Sequence, residues 1–368
     1  MMVYFYLLWI FGYFLLLLLL VRKWPSEKGK NLNEPAVLPS ITLVIPFRNE
    51  ANLVGSMVEE LKRISPEIQE ILLVDDQSED DSFSLFSGQI QSHSKFDLLK
   101  SPGVGKKAAL EWGIRQARGE IILTSDADCS FAKGWAKEMA TPFQNPEVQL
   151  VAGPVLSKAD ARIFPEVFQQ IEWASILLVT QFSFRSLKPL LCSGANLAFR
   201  KSAFLRVGGY MGNDHLLSGD DEFLLKKIAM EFGAASCLYL PYQQALVYTL
   251  PEPSLYFLFN QRIRWASKWK EHGSLVHGGI AILAALSQWV WLFSFVLPLA
   301  GILGIWVLVG LWAGKLAIER WALQKVLRSF GRTPGRYWAL TSLFHPFYVI
   351  GVSLGSIWGK FEWKGRSN

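Results

Sequence analysis

The sequence predicts an α/β domain, built on a mostly parallel sheet and held between apolar chain ends. Three observations predict it. Short aliphatic runs at 41–45, 71–74 and 120–124 alternate with helical periods at 51–64, 81–90 and 105–117, the pattern of parallel strands joined by crossover helices. Each run is followed by a polar cluster, Arg48-Asn49-Glu50, Asp75-Asp76-Gln77-Ser78 or Asp126-Ala127-Asp128, at the strand end where open α/β sheets bind ligands. Residues 1–21 and the chain from Ser274 onward are apolar, and the stretch between them is not.

Composition narrows the function classes. Of 368 residues, 51% are hydrophobic, including 15 Trp and 25 Phe, which is rich for a water-soluble chain. Cys129, Cys192 and Cys237 are scattered with no C-x-x-C spacing. Neither a disulfide framework nor a zinc site is indicated, and free thiols suit a reducing compartment. The net charge of +6 is assigned to basic flanks of membrane segments rather than to nucleic-acid binding.

Residues 1–21 are long enough to cross a bilayer at roughly 20 residues per span. Arg22, Lys23, Lys28 and Lys30 follow the run. A cleaved signal would carry its charge before the apolar run. The expectation is an uncleaved anchor with its basic flank in the cytoplasm. Residues 22–40 hold Pro25, Pro35, Pro39 and Gly29 and read as a basic linker. Helix 51–64 sets Leu53, Met57, Leu61 and Ile64 on one face. The middle is less regular. A strand is expected at 148–152 and helices at 164–180, 221–232 and 254–271. The 164–180 helix suits either a core or a membrane surface. Beyond it, 275–297 and 299–318 are each long enough to span, turning at Pro298 and Gly301, with a basic loop at 319–336. A last apolar segment, 338–358, is interrupted by His345-Pro346 and is expected to be re-entrant or interfacial, leaving the C-terminus cytoplasmic.

The polar clusters carry the chemistry. Asp126-Ala-Asp128 ends a strand. Two carboxylates there can hold a hard divalent cation completed by a diphosphate, or can form a solvated turn. Gly103-Val-Gly105-Lys106-Lys107 lacks the G-x-x-x-x-G-K-[ST] spacing, so a P-loop is rejected. Gly219-Asp220-Asp221-Glu222 opens a helix, where acids are also favoured by the dipole. Gln261, Arg264 and Trp265 stand at i, i+3 and i+4 on one helical face.

Together these clusters resemble the inverting, membrane-bound family 2 glycosyltransferases, over about residues 40 to 270. The matches are Val44-Ile-Pro46-Phe-Arg48-Asn49-Glu50, Val74-Asp75-Asp76-Gln-Ser78, Asp126-Ala-Asp128 and Gln261-Arg-Ile-Arg264-Trp265. The resemblance implies a GT-A fold over 41–272, between the 1–21 anchor and a membrane region at 273–368. It implies a UDP-sugar donor held by Pro46, Arg48, Glu50, Asp76, Lys106, Asp126, Gln261 and Arg264. Asp76 would take the uracil ring, with N-capping by the Asp-x-Ser cluster as the alternative use. Mg²⁺ or Mn²⁺ would sit on Asp126 and Asp128. Asp221 would be the catalytic base, with Asp220 in the place of the family's usual Glu. Gly194, Asn196, Asp220 and Trp265 would face a lipid or glycan acceptor at the membrane. Ceramide-type glucosyltransferases and processive polysaccharide synthases are both near. A non-catalytic module that only binds a nucleotide sugar is the alternative from another class.

Overall fold

The structure, a computed structural model, describes residues 2–25, 37–159, 163–212, 219–267 and 275–358, with two short pieces at 362–363 and 366–367. Most of the predicted linker and the end of the predicted 254–271 helix lie outside these residues. Two compact units divide the chain. One takes residues 1–24, 159–179 and 251–368, and the other takes 25–158 and 180–250. Residues 159–179 and 251–272, expected in the glycosyltransferase domain, thus group with the apolar ends.

The chain opens with α1 (Met2–Arg22) and then enters the sheet unit. β1 (Ile41–Phe47) is buried along its whole length, as a central parallel strand must be. α2 (Val54–Ile64), β2 (Glu70–Asp75), α3 (Ser82–Ile90), β3 (Phe96–Lys100), α4 (Lys106–Gln116) and β4 (Ile121–Thr124) follow. β5 (Ser130–Phe131), α5 (Trp135–Ala140), β6 (Leu150–Ala152) and β7 (Val155–Ser157) precede α6 (Phe164–Arg185). β8 (Leu197–Arg200), α7 (Lys201–Arg206), α8 (Asp220–Phe232), β9 (Cys237–Tyr239) and β10 (Val247–Thr249) complete the unit.

The main sheet has the order β3-β2-β1-β4-β8-β6-β9. β3, β2, β1 and β4 are mutually parallel, as expected. β8 then enters antiparallel to both β4 and β6, so the sheet is mixed. That one reversal carries the loop at 193–196 to the end of β4 where Asp126 and Asp128 emerge. A second small sheet joins β5, β10 and β7.

The other unit continues with α9 (Leu255–Ala266), α10 (Leu275–Phe293), α11 (Val296–Leu299), α12 (Ile305–Ser329) and α13 (Trp338–Trp358). Among the described residues, three stretches are long and apolar enough to cross a membrane: Val3–Arg22, Ile282–Leu299 and Trp338–Ile357. Two expectations are corrected here. The segment at 299–318 and the basic loop at 319–336 are largely one helix, α12, which does not count among those three. No proline interrupts 305–329, and Lys315 and Glu319 pair at i,i+4, 2.7 Å apart, which favours continuing the helix. It ends just before Gly331, at φ +68°. The last segment is a continuous 21-residue helix with Pro346 inside it rather than a broken one.

α1 is tied to residues far along the chain. Tyr6 donates to the Val290 carbonyl (2.6 Å), Tyr13 to Glu319, and Trp24 to Ser329 (3.3 Å). The Lys315 ammonium is fully buried and also reaches the Ser342 carbonyl at 3.0 Å.

Candidate active site

β4 delivers the first acids. Its buried run stops at Thr124, and Ser125 starts the turn that carries Asp126 and Asp128. The Cys129 amide closes that turn on the Asp126 carbonyl (3.2 Å). Asp128 Oδ2 accepts from the Thr249 hydroxyl (2.8 Å), so the end of β10 fixes the second carboxylate. Cys129 is buried beside them. Burial first, then the charges of Asp128 and Asp126, push its thiol well above the ordinary range. It stays protonated and is a poor nucleophile.

Lys106 joins this cluster from the first turn of α4. Its Nζ lies 2.6 Å from Asp126 Oδ1 and 3.7 Å from Asp220 Oδ2. Burial alone would lower its pKa. The carboxylates of Asp126, Asp220 and Asp221 outweigh that and hold it above the ordinary lysine value. Lys106 is thus paired with the strand-end and helix-start acids, and a basic turn merely in solvent does not describe it.

The third contribution is the start of α8. Asp221 Oδ2 accepts from the Gly194 amide (2.9 Å), and its Oδ1 from the Glu222 amide (2.8 Å). The Gly194 carbonyl in turn accepts from Thr124 Oγ1 (2.9 Å). One residue therefore connects the last position of β4 to the Asp221 carboxylate. A Cβ on Gly194 would come within 2.9 Å of Asp220 Oδ2. The glycine that was expected to admit a sugar ring instead admits the carboxylates of α8.

Asn196 is the clear correction. It is fully buried. Its amide donates to the carbonyls of Pro154 (2.8 Å) and Ala245 (2.7 Å) and accepts from Trp135 Nε1 (2.9 Å). Its hydrogen bonds hold three loops together, and no acceptor molecule can reach it there.

The β1 and β2 ends form the neighbouring wall. Asp76 is buried, and its Oδ1 accepts from the Gly105 amide at 2.6 Å. Gly105 has φ +100°, a conformation glycine adopts at little cost. Asp76 thereby holds the loop that presents Lys106. Arg48 donates to the carbonyls of Asp76 (3.0 Å) and Gln77 (2.7 Å) and pairs with Glu79 at 2.7 Å. It clamps the loop after β2. Pro46 lies inside β1 opposite Val74. The Glu50 amide donates to Ser82 Oγ (2.7 Å). Asp80 accepts from the amides of Ser82 (3.0 Å) and Ala51 (3.1 Å).

The other unit holds Gln261, Arg264 and Trp265 on α9. Beside them stands a cluster that sequence reading missed. Arg262 donates from Nε and Nη2 to Glu172 (3.0 and 2.8 Å), and the Tyr348 hydroxyl donates to the same carboxylate (2.8 Å). The Arg262 guanidinium lies 4.1 Å from the Trp265 ring centroid, and Trp265 meets Trp173 edge-on at 5.6 Å. The Gln261 amide donates to Glu252 and accepts from Arg262. Arg264 is half-buried. Glu172 and Arg262 are 90 residues apart and share no motif, so only the fold pairs them. Thr249 likewise lies in a three-residue strand that carries no signature.

A divalent cation can be tested against these groups. Among the described residues, no three His, Cys, Asp or Glu side chains gather closely enough to hold one unaided. Asp126 and Asp128 offer oxygen only, which suits Mg²⁺ or Mn²⁺ with waters and a diphosphate filling the remaining positions. The residues fit a cation that arrives with a nucleotide.

Comparison with known proteins accords with this arrangement. Residues 42–208 match Glycosyl transferase family 2, and the fold is of the GT-A kind. The poly-beta-1,6-N-acetyl-D-glucosamine synthase of Staphylococcus epidermidis is 26% identical over 239 residues, covering 64% of this chain and 55% of the relative. The probable glycosyltransferase YdaM of Bacillus subtilis is 24% identical over 261 residues, covering 67% and 57%. The chain thus spans little more than half the length of these curated relatives. In overall fold it resembles the mannosyltransferase PcManGT of Pyrobaculum calidifontis, solved with GDP-Man and Mn²⁺. The TM-score is 0.59 at 19% identity, over 95% of this chain and 96% of that one.

Proposed function

We propose that this protein is an inverting glycosyltransferase that moves a sugar from UDP to a lipid or membrane-associated glycan on the cytoplasmic face. The observation that carries the reading is the single hydrogen-bonded and ion-paired set of Asp126, Lys106, Asp220, Asp221 and Gly194. It brings an ammonium suited to a diphosphate and a fixed carboxylate together at one end of the sheet. Asp221, oriented by two backbone amides, takes the proton of the acceptor hydroxyl. That oxygen attacks the anomeric carbon opposite the leaving UDP and inverts it, and the electrons of the broken bond depart on the diphosphate. Lys106 offsets the charge that develops there. Asp76 takes the uracil. Asp126 and Asp128 would hold Mg²⁺ or Mn²⁺, which supplies Lewis-acid neutralisation of the diphosphate.

Three apolar stretches long enough to span support a multi-pass membrane protein, and Arg22 and Lys23 after the first support a cytoplasmic catalytic domain. A processive polysaccharide synthase is the second reading, supported by the likeness to the Staphylococcus synthase.

The deciding experiment incubates the purified chain with UDP-glucose or UDP-N-acetylglucosamine, a membrane lipid extract and Mn²⁺. Metal-dependent UDP release with a lipid product of one added sugar is expected. Mass spectrometry showing a long glycan would select the processive reading. No release with any UDP-sugar would remove the enzymatic one.

A further inference from the structure

The ammonium of Lys106 and a divalent cation have the same use for one oxygen. Lys106 Nζ lies 2.6 Å from Asp126 Oδ1, a full ion-pair contact on a carboxylate assigned to the metal and the donor. Its backbone is anchored. It opens α4, and the preceding Gly105 is tethered through its amide to Asp76. Asp220, 3.7 Å away, draws the ammonium from the other side. A cation at Asp126 must therefore either displace Lys106 or share the carboxylate with a like charge. Both cost free energy in a partly desolvated site. Among the described residues no third His, Cys, Asp or Glu completes a metal cage there. A nucleotide diphosphate changes the balance. Its oxygens give Lys106 another anion to pair with and give the metal its missing ligands.

We propose that Lys106 is an internal competitor of the divalent cation. It suppresses binding of metal alone at Asp126 and Asp128 and makes metal and nucleotide diphosphate bind as mutually dependent ligands. The inference rests on the metal reading of those two acids. Thermodynamic reciprocity requires that each ligand raise the other's affinity by one common factor. Lys106 sets that factor, and Asp76 connects the loop carrying Lys106 to the nucleotide pocket.

The test uses the full chain in detergent and reads free Mn²⁺ by electron paramagnetic resonance, with Mn²⁺ alone and with saturating UDP. Wild type should bind Mn²⁺ about tenfold or more tightly when UDP is present, within the usual range of coupling between sites. Lys106→Met should bind Mn²⁺ alone about tenfold more tightly than wild type, with the UDP dependence correspondingly reduced. Lys106→Gln should do the same and guards against a folding defect in the first variant. Lys106→Arg, which keeps the positive charge, should still bind Mn²⁺ alone weakly. The proposal is overturned if Lys106→Met and Lys106→Gln bind Mn²⁺ alone no better than wild type while all three bind it normally with UDP. A different failure marks the underlying reading. If wild type with UDP takes up no Mn²⁺, or Asp128→Ala takes up as much, the acids are not metal ligands and the competition falls with them.

Discussion

Two ionic clusters in this protein use similar residues to opposite ends. In the sheet unit, the point charge of Lys106 is shared unequally between Asp126 at 2.6 Å and Asp220 at 3.7 Å, and the Asp126 side chain is 38% exposed. In the other unit, the planar fork of Arg262 meets Glu172 with two hydrogen bonds, Tyr348 adds a third, and both charged side chains are under 10% exposed. A compact ammonium on a flexible stem can change partners, whereas a bidentate guanidinium inside a packed helix group cannot. The first is built for exchange and the second for fixity.

The largest effect should come from the exchange side. Asp128→Ala is expected to lower sugar transfer by about 10³-fold or more, and a chelator should do the same to wild type. Near-normal turnover of either in UDP-release assays would break the assignment. On the fixed side, Arg262→Ala should strand the Glu172 charge and cost about 3–5 kcal/mol of stability, read as an earlier thermal unfolding midpoint in detergent. Lys106→Gln should move that midpoint by no more than about 1 kcal/mol, the scale of a partly exposed pair. Equal losses from both would erase the contrast.

Asp221→Asn should retain UDP binding and lose about 10²-fold in transfer, the scale of a removed general base. Asp220→Asn should cost less in turnover and more in nucleotide affinity, because its partner is Lys106. The reverse pattern would move the base by one residue. The smallest effect is an expected silence. The folded-state pKa of Lys106 is raised, so its pairing is fully present below the unfolded lysine value of about 10.4 and is lost only at still higher pH. Wild type and Lys106→Arg should therefore show no difference in the shape of their kcat profiles between about pH 6 and 9, whatever their absolute rates. A basic limb in that range present only in wild type would contradict the ion pairing.

Much of the sheet was legible because burial on both faces leaves continuous aliphatic runs, as in Ile41–Phe47 and Glu70–Asp75. The edge strand Phe96–Lys100 was not, since half-exposed positions interrupt its pattern. β8 was not, because four residues cannot announce a reversed direction. Site acids at strand and helix ends were readable, since position in a βα unit implies where they point. Asn196 and Gly194 were misread for one reason: a residue type suited to a ligand is equally suited to a buried junction, and only the neighbours distinguish them. Thr249 and Glu172 act through partners 121 and 90 residues away, a separation at which a single sequence carries no trace of pairing.

The contacts of α1 bear on how the protein is made. Tyr13 and Trp24 find their partners at Glu319 and Ser329, some 305 residues downstream. At about 5–20 residues per second, a ribosome needs roughly 15–60 s to reach them. On the membrane reading, the first helix must therefore wait in the bilayer, its Tyr13 hydroxyl and the Trp24 indole just beyond it borrowing other partners, while the whole sheet unit is synthesised. Closure of the helix group is a late event in biogenesis. Chains truncated before Glu319 should insert α1 yet stay vulnerable to membrane proteases, which a pulse–chase comparison of nested truncations would reveal.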